Sequence, residues 1–220
     1  MRHLVKPQVV TSAAVAAAAS AILSLPRMWL WEQRTFPVWY IEAMIFLGGF
    51  VLWAFVFAWH TEYTRRPIFM REIQPRLILA ATFTGLIAAV ILHWLLDPSL
   101  RLRTPQDYPA DFPHWVAASL FSLGFTQLFL IFAPFAWSIR LFRKEQIAAA
   151  MTVALSVAVL ILKINSAPTP LPLTLFLELL AARIAFGYLA IWFYLRGGIL
   201  LVTWLGLLVE ARHLITFLGF

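Results

Sequence analysis

Ionisable side chains interrupt the long apolar runs of this 220-residue chain, and they are its candidates for catalysis, proton transfer or metal binding. An unpaired charge near the centre of a bilayer costs roughly 2.5–3.5 kcal/mol, so such a residue needs a partner, a water-filled cavity or a role. Buried carboxylates in particular are what a proton-coupled carrier requires. The ionisable residues inside or at the rim of apolar runs are Glu42, Glu178, Arg183, Glu210, Arg212 and His213.

Two of these residues have a spacing that metal sites use. Glu210 and His213 form the Glu-x-x-His pattern of metal centres in helical bundles. A carboxylate-bridged centre needs a second such pair, and the sequence contains none. His60 and His93 are predicted at opposite ends of their helices, so they cannot ligate one haem between them. The chain has no cysteine, which excludes thiolate metal sites, disulfides and a cysteine nucleophile. The sequence therefore predicts no metal and no other cofactor.

Membrane-spanning helices are predicted to carry these ionisable residues. Hydrophobic residues make up 62% of the chain and charged residues 12%, compared with about half and about a quarter in soluble domains. The apolar runs are continuous rather than alternating, which favours helices over a transmembrane barrel. We therefore predict an all-α integral membrane protein, a polytopic bundle of about seven transmembrane helices in one domain over 1–220. The predicted spans are 9–26, 36–60, 77–96, 115–138, 146–165, 171–195 and 198–218.

Basic residues between the spans predict the orientation of the bundle. Ten lysines and arginines precede the first span or lie in the connections on its side, and four lie in the opposite connections. Because cytoplasmic loops are enriched in these residues, the N-terminus is predicted to be cytoplasmic and the C-terminus outside, as in a bacterial inner membrane. The net charge of +7 is dispersed among apolar spans, which indicates contact with anionic lipid headgroups and not with nucleic acid.

Several polar side chains are predicted at a similar depth in the outer half of the bundle. They would either line an outward-opening polar pocket or snorkel to the interface and pair structurally. Arg183 keeps its charge near the middle of its span, so it is predicted to pair with Glu210. The 97–114 connection, with four prolines and three aspartates, is predicted to be an extended, solvated loop. The predicted pocket residues are Glu42, His93, Gln127, Lys163, Arg183 and Arg212.

Residues 124–213 resemble the CPBP family of membrane-embedded glutamic proteases. The stretch from Phe186 to Gly198 is similar to the family's glycine-containing helix and the turn that follows it, and Thr126-Gln127 stands where the family has paired glutamates. In a second register Glu178 and Arg183 match the ends of the family's Glu-Glu-x-x-x-Arg motif, and His213 follows Glu178 by 35 residues. The resemblance implies that Glu178 and His213, with Glu210, would be the catalytic residues that activate water for peptide hydrolysis.

The sequence has no Gly-x-Ser-x-Gly, Walker or His-Glu-x-x-His motif, and neither register of the resemblance preserves a full catalytic set. We therefore interpret the chain as a non-catalytic accessory, scaffold or assembly subunit that packs in the bilayer against another membrane protein or a second copy of itself. Aromatic residues make up 15% of the chain and would supply such surfaces. Two alternatives stay open. One is a CPBP-like intramembrane protease, and the other is a transporter or binding protein for a small molecule or lipid, with an outward-facing polar pocket.

Overall fold

The computed structural model describes residues 4–31, 34–70, 72–104, 108–166 and 171–217, with side chains as far as residue 215. The described residues are helices and short connections, without a strand. Six helices are long and apolar enough to cross a membrane. The chain is therefore an all-α polytopic membrane protein, which confirms the predicted fold class.

The helices follow one another with short connections. Their bounds are α1 Pro7–Leu30, α2 Val38–Thr64, α3 Pro75–Arg103, α4 Phe112–Phe142, α5 Glu145–Asn165, α6 Leu173–Glu210 and the short α7 Arg212–Phe217. Helices α2, α3 and α4 include π-helical turns, at Val56–His60, Leu92–Leu96, Ser122–Thr126 and Leu128–Phe132.

Local sequence explains several of the helix ends. Proline occupies the first turn of α1, α3 and α4, where its missing N–H has no intrahelical partner to lose. Helices α2 and α4 end at Arg65 and Arg143, which adopt the left-handed conformation with φ of 57° and 54°. These two arginines begin connections at the same end of the bundle.

Gly198 breaks α6 into two arms, 173–197 and 199–210, with φ 69° and ψ −165°. The amide of Ile199 donates to the carbonyl oxygen of Ile68 at 3.0 Å, so the break lies beside the α2–α3 connection. The second arm then returns to the far side of the bundle, where Trp115 donates to the backbone oxygen of Glu210 at 2.9 Å. The two arms run in opposite directions. The six spanning helices are therefore consistent with the prediction of about seven crossings, because the two arms of α6 were predicted as separate spans.

The two ends of the bundle differ in charge. The basic end holds the start of α1, the α2–α3 and α4–α5 connections and the Gly198 break. Its described cations are Lys6, Arg65, Arg66, Arg76, Arg140, Arg143, Lys144 and Arg196. At the opposite end, α3 meets the end of α6 and the short α7. Arg2 and Arg71, which also entered the predicted charge asymmetry, lie outside the described residues.

Candidate functional site

A polar cluster occupies the opposite end of the bundle. It comprises side chains from α3, from the α3–α4 connection, from α4 and from the end of α6 with α7. Its members are His93, Asp97, Tyr108, Ser122, Glu210, Arg212 and His213. The sequence predicted His93, Glu210, Arg212 and His213 as polar residues at this depth, and the structure brings these four together.

Asp97 lies at the centre of the cluster with only 2% of its surface exposed. The Nε atom of Arg212 lies 3.4 and 3.3 Å from its two carboxylate oxygens, and Tyr108 donates its hydroxyl to Oδ1 at 3.0 Å. Nδ1 of His93, one turn earlier on α3, is 3.8 Å from Oδ2. Burial, followed by the neighbouring Asp97 charge, raises the pKa of Tyr108, so its hydroxyl stays protonated and remains a donor.

The position of Asp97 corrects the predicted loop. The 97–114 connection was expected to be extended and solvated, whereas Asp97–Arg103 is helical and continues α3. Two features of the sequence favour this helical continuation of α3. Asp97 is four residues after His93 and so lies on the same helix face, and Pro98 occupies a first-turn position that helices accept. Asp107 lies outside the described residues.

Glu210 forms the second half of the cluster. Ser122 donates its hydroxyl to Oε1 at 3.2 Å, and Nε2 of His213 lies 3.8 Å from Oε2. The ring of Tyr108 meets that of His213 edge-on at 5.3 Å between centroids, which joins the two halves. A carboxylate beside an imidazole and a hydroxyl has the composition of an acid–base site.

The structure does not bring the other predicted site residues into this cluster. Glu178 and Arg183 make no hydrogen bond or ion pair with any described residue. The predicted Arg183–Glu210 pair is therefore wrong, and the carboxylate of Glu210 contacts Ser122 and His213 instead. Gln127 packs near Gly206 in the middle of the bundle, and its Oε1 accepts no hydrogen bond there from a described residue. Oε1 of Glu42 accepts no hydrogen bond from a described residue, and Lys163 is exposed in the last turn of α5.

An apolar cavity of about 740 Å³, open to the surface of the bundle at Val15 and Phe69, lies beside the start of the second arm. This volume is within the roughly 300–1,000 Å³ typical of small-molecule sites. Its walls come from α1, α2, the α2–α3 connection, α4 and the start of the second arm. The lining residues are Thr11, Ser12, Val15, Ala16, Ala19, Ser20, Leu23, Trp53, Phe57, Phe69, Leu120, Leu123, Gly124, Phe132, Ile199 and Thr203.

Ser20 fixes the three helices around the cavity. Its hydroxyl accepts the indole N–H of Trp53 at 3.0 Å and donates to the backbone oxygen of Gly124 at 2.9 Å. Gly124 lets α4 approach α1, because a Cβ there would lie 2.9 Å from the Cβ of Leu23. The contact of α1, α2 and α4 at Ser20 therefore forms one boundary of the cavity. The cavity was not predicted from the sequence, because no local sequence pattern encodes a gap between helices.

No group of three or more histidine, aspartate or glutamate side chains in the described part of the chain is arranged to hold a metal ion. Comparisons with protein-family models, with curated proteins and with solved structures find no match to this chain.

Proposed function

We propose that this chain is a membrane-embedded binding protein whose ligand is a lipid or lipid-like molecule held in the apolar cavity. The cavity itself carries the proposal. It lies between membrane-spanning helices, and aromatic and aliphatic side chains form most of its wall. An acyl chain that enters it exchanges one apolar environment for another while gaining close contacts with Trp53, Phe57 and Phe132.

The length of the cavity favours a lipid chain over a partner helix. Its lining residues on α1 span roughly 18 Å, close to the half-thickness of about 15 Å of a bilayer core, whereas a transmembrane helix is about 30 Å long. An accessory role beside another membrane protein is compatible with lipid binding, but such a partner would contact the outer surface of the bundle and not fill the cavity. We also propose that the basic end faces the cytoplasm of a bacterial cell, because its cations outnumber those near the connections of the opposite end.

Filling the cavity tests the proposal. Ala19 lines the cavity on α1, and Ala154 lies on an exposed face of α5 outside it. The chain purified in mild detergent is expected to retain lipid, measured by native mass spectrometry. Ala19→Phe is expected to lower lipid occupancy at least roughly tenfold, or about 1.4 kcal/mol, since the ring takes the place of the acyl chain's contacts with the cavity wall. Ala154→Phe is the matched control. Equal occupancy in both variants would contradict the proposal.

A second candidate function is hydrolysis by a CPBP-like site, and the 3.8 Å approach of His213 to Glu210 favours it. In this candidate Glu210 takes a proton from water while His213 orients the carboxylate. Glu178, the third predicted catalytic residue, makes no contact with either of them in the described structure. Removing a general base costs about 10²–10⁴ in rate, so Glu210→Gln should slow cleavage of a membrane-anchored peptide by at least about a hundredfold. Absence of cleavage by the unsubstituted chain would count against this candidate.

A further inference from the structure

The polar groups of the apolar cavity are concentrated at its basic end. Thr11 and Ser12 lie in the second turn of α1, and Thr203 follows the Gly198 break by little more than one turn. Their hydroxyls make no side-chain hydrogen bond with described residues. Ser20, deeper in the cavity, has its hydroxyl engaged by Trp53 and Gly124. The cavity is therefore hydroxyl-lined at one end and apolar at the other, as an amphiphile requires.

The length of the cavity matches one leaflet of a bilayer. The lining residues of α1 run from Thr11 to Leu23, which corresponds to roughly 18 Å at 1.5 Å per residue. Half of the hydrocarbon core of a bilayer is about 15 Å thick. A lipid chain entering at the basic end would therefore reach the close α1–α4 contact at Leu23 and Gly124.

Two cations stand near the hydroxyl-lined end. Lys6 precedes Thr11 on α1 by five residues, or roughly 8 Å along the axis, and Arg65 precedes the lining residue Phe69 by four residues. Neither makes an ion pair with a described residue. Arg66, by contrast, is paired with Glu145 at 3.2 Å and donates to the backbone oxygen of Leu195 at 3.1 Å. Lys6 and Arg65 are thus exposed charges at the basic end, each within five residues of a residue that lines the cavity.

We propose that the ligand of the cavity is an anionic lipid, with its headgroup at the basic end beside Lys6 and Arg65 and its acyl chain along α1 toward Gly124. This assignment rests on the proposed lipid-binding function. It adds the charge of the lipid headgroup and the end of the cavity at which the headgroup lies. Hydroxyls of Thr11, Ser12 and Thr203 donate to headgroup or ester oxygens, and the two cations attract the negative charge.

A competition experiment tests this assignment. The purified full chain is incubated with phosphatidylglycerol and phosphatidylcholine of the same acyl composition at equal concentration, and bound lipids are counted by native mass spectrometry. The anionic lipid is expected to be preferred, and Lys6→Gln and Arg65→Gln should each lower the preference about fivefold. Lys144→Gln is the matched control, because Lys144 also precedes a spanning helix at the basic end but no residue of that helix lines the cavity.

Three outcomes separate the assignment from the function on which it rests. Loss of preference in the Lys6 and Arg65 variants, with the Lys144 variant unchanged, supports the assignment. Equal binding of the two lipids, with occupancy still reduced by Ala19→Phe, overturns the anionic assignment and leaves lipid binding standing. Occupancy that Ala19→Phe does not reduce overturns both. Lys6 and Arg65 are exposed, so their substitution leaves the packed bundle intact.

Discussion

Asp97 and Arg212 form an ion pair whose side chains are 3% and 16% exposed, so neither charge is well solvated. A buried pair contributes little net stability relative to apolar side chains, but removing one partner leaves the other charge without compensation. Tyr108 adds a hydrogen bond to the same carboxylate. The polar cluster therefore joins α3, the α3–α4 connection and α7 through one acidic side chain.

We expect Asp97→Asn to destabilise the bundle by about 3–5 kcal/mol, because the guanidinium of Arg212 then lacks a counter-charge. Unfolding in detergent, followed by circular dichroism, measures the loss. The double variant Asp97→Asn with Arg212→Met should recover most of it. Losses that simply add in the double variant would show that the two side chains do not interact.

Tyr194 is fully buried at the basic end, and its hydroxyl has no hydrogen-bond partner among the described residues. Its ring packs 4.6 Å from that of His60 and 4.9 Å from that of Phe132. An unsatisfied buried hydroxyl costs about 1–3 kcal/mol, so Tyr194→Phe should leave stability unchanged or raise it by up to that amount. A lower unfolding temperature for Tyr194→Phe would show that the hydroxyl has a partner after all.

Single residues of the polar cluster could be predicted only in part. Glu210, Arg212 and His213 stood out because charges are rare in apolar runs. The free-energy cost of a charge in the membrane can be recognised from the neighbouring sequence alone. Asp97 did not, because prolines and two further aspartates gave its surroundings the composition of a loop. The partner of Arg183 was predicted wrongly, because depth along a helix does not determine which helix faces it.

At the scale of elements, Gly198 turns one long helix into two antiparallel arms. Its φ of 69° suits glycine, and a Cβ at this position would collide with the carbonyl oxygen of Ile68. The amide of Ile199 donates a hydrogen bond to the same oxygen, which joins the α2–α3 connection to the residue that follows Gly198. Because Phe69 and Ile199 both line the apolar cavity, this contact also shapes its basic end.

Gly198→Ala is expected to destabilise the bundle by more than the roughly 1–3 kcal/mol that a disfavoured backbone conformation costs, since the methyl group also displaces the connection at Ile68. Gly48→Ala is the matched control. Beyond the backbone of its own helix, no atom of the described residues lies within 4 Å of a Cβ at Gly48, and alanine favours helix by about 0.5–1 kcal/mol there. Similar melting temperatures for the two variants would contradict this account of the break.

The spanning helices were predictable because each is a long, continuous apolar run, and hydropathy alone identifies such runs. The sequence also indicated two spans where α6 bends, since Arg196 interrupts the apolar run between the predicted spans 171–195 and 198–218. The packing of the helices was not predictable in this way. Contacts such as Trp53 with Ser20 join residues far apart in the chain, and no local periodicity encodes them.

At the scale of the whole molecule, the charge difference between the two ends predicts sidedness. The chain has no cysteine, so single cysteines can be introduced without background labelling. Lys144→Cys at the basic end and Ala110→Cys at the opposite end are both exposed. We expect a membrane-impermeant thiol reagent to label Ala110→Cys in intact cells and Lys144→Cys only after the membrane is opened. Labelling of both in intact cells would refute the proposed orientation.

The apolar cavity is the feature of the whole bundle on which the proposed function depends. It is assembled from α1, α2, α4 and the second arm, and no one of these helices forms it alone. A bound amphiphile is expected to place its headgroup at the hydroxyl-lined end and its acyl chain at the apolar end.

Photo-crosslinking tests lipid binding in the cavity most directly. A fatty-acyl lipid with a diazirine on its chain is incorporated into bilayers with the full chain, irradiated, and its attachment sites are mapped by peptide mass spectrometry. We expect attachment to concentrate on 11–23 of α1 and on 199–203 of the second arm, and Ala19→Phe to remove most of it. Attachment spread evenly over the lipid-exposed faces of α1, α3 and α5, and unchanged by Ala19→Phe, would contradict a lipid-binding cavity.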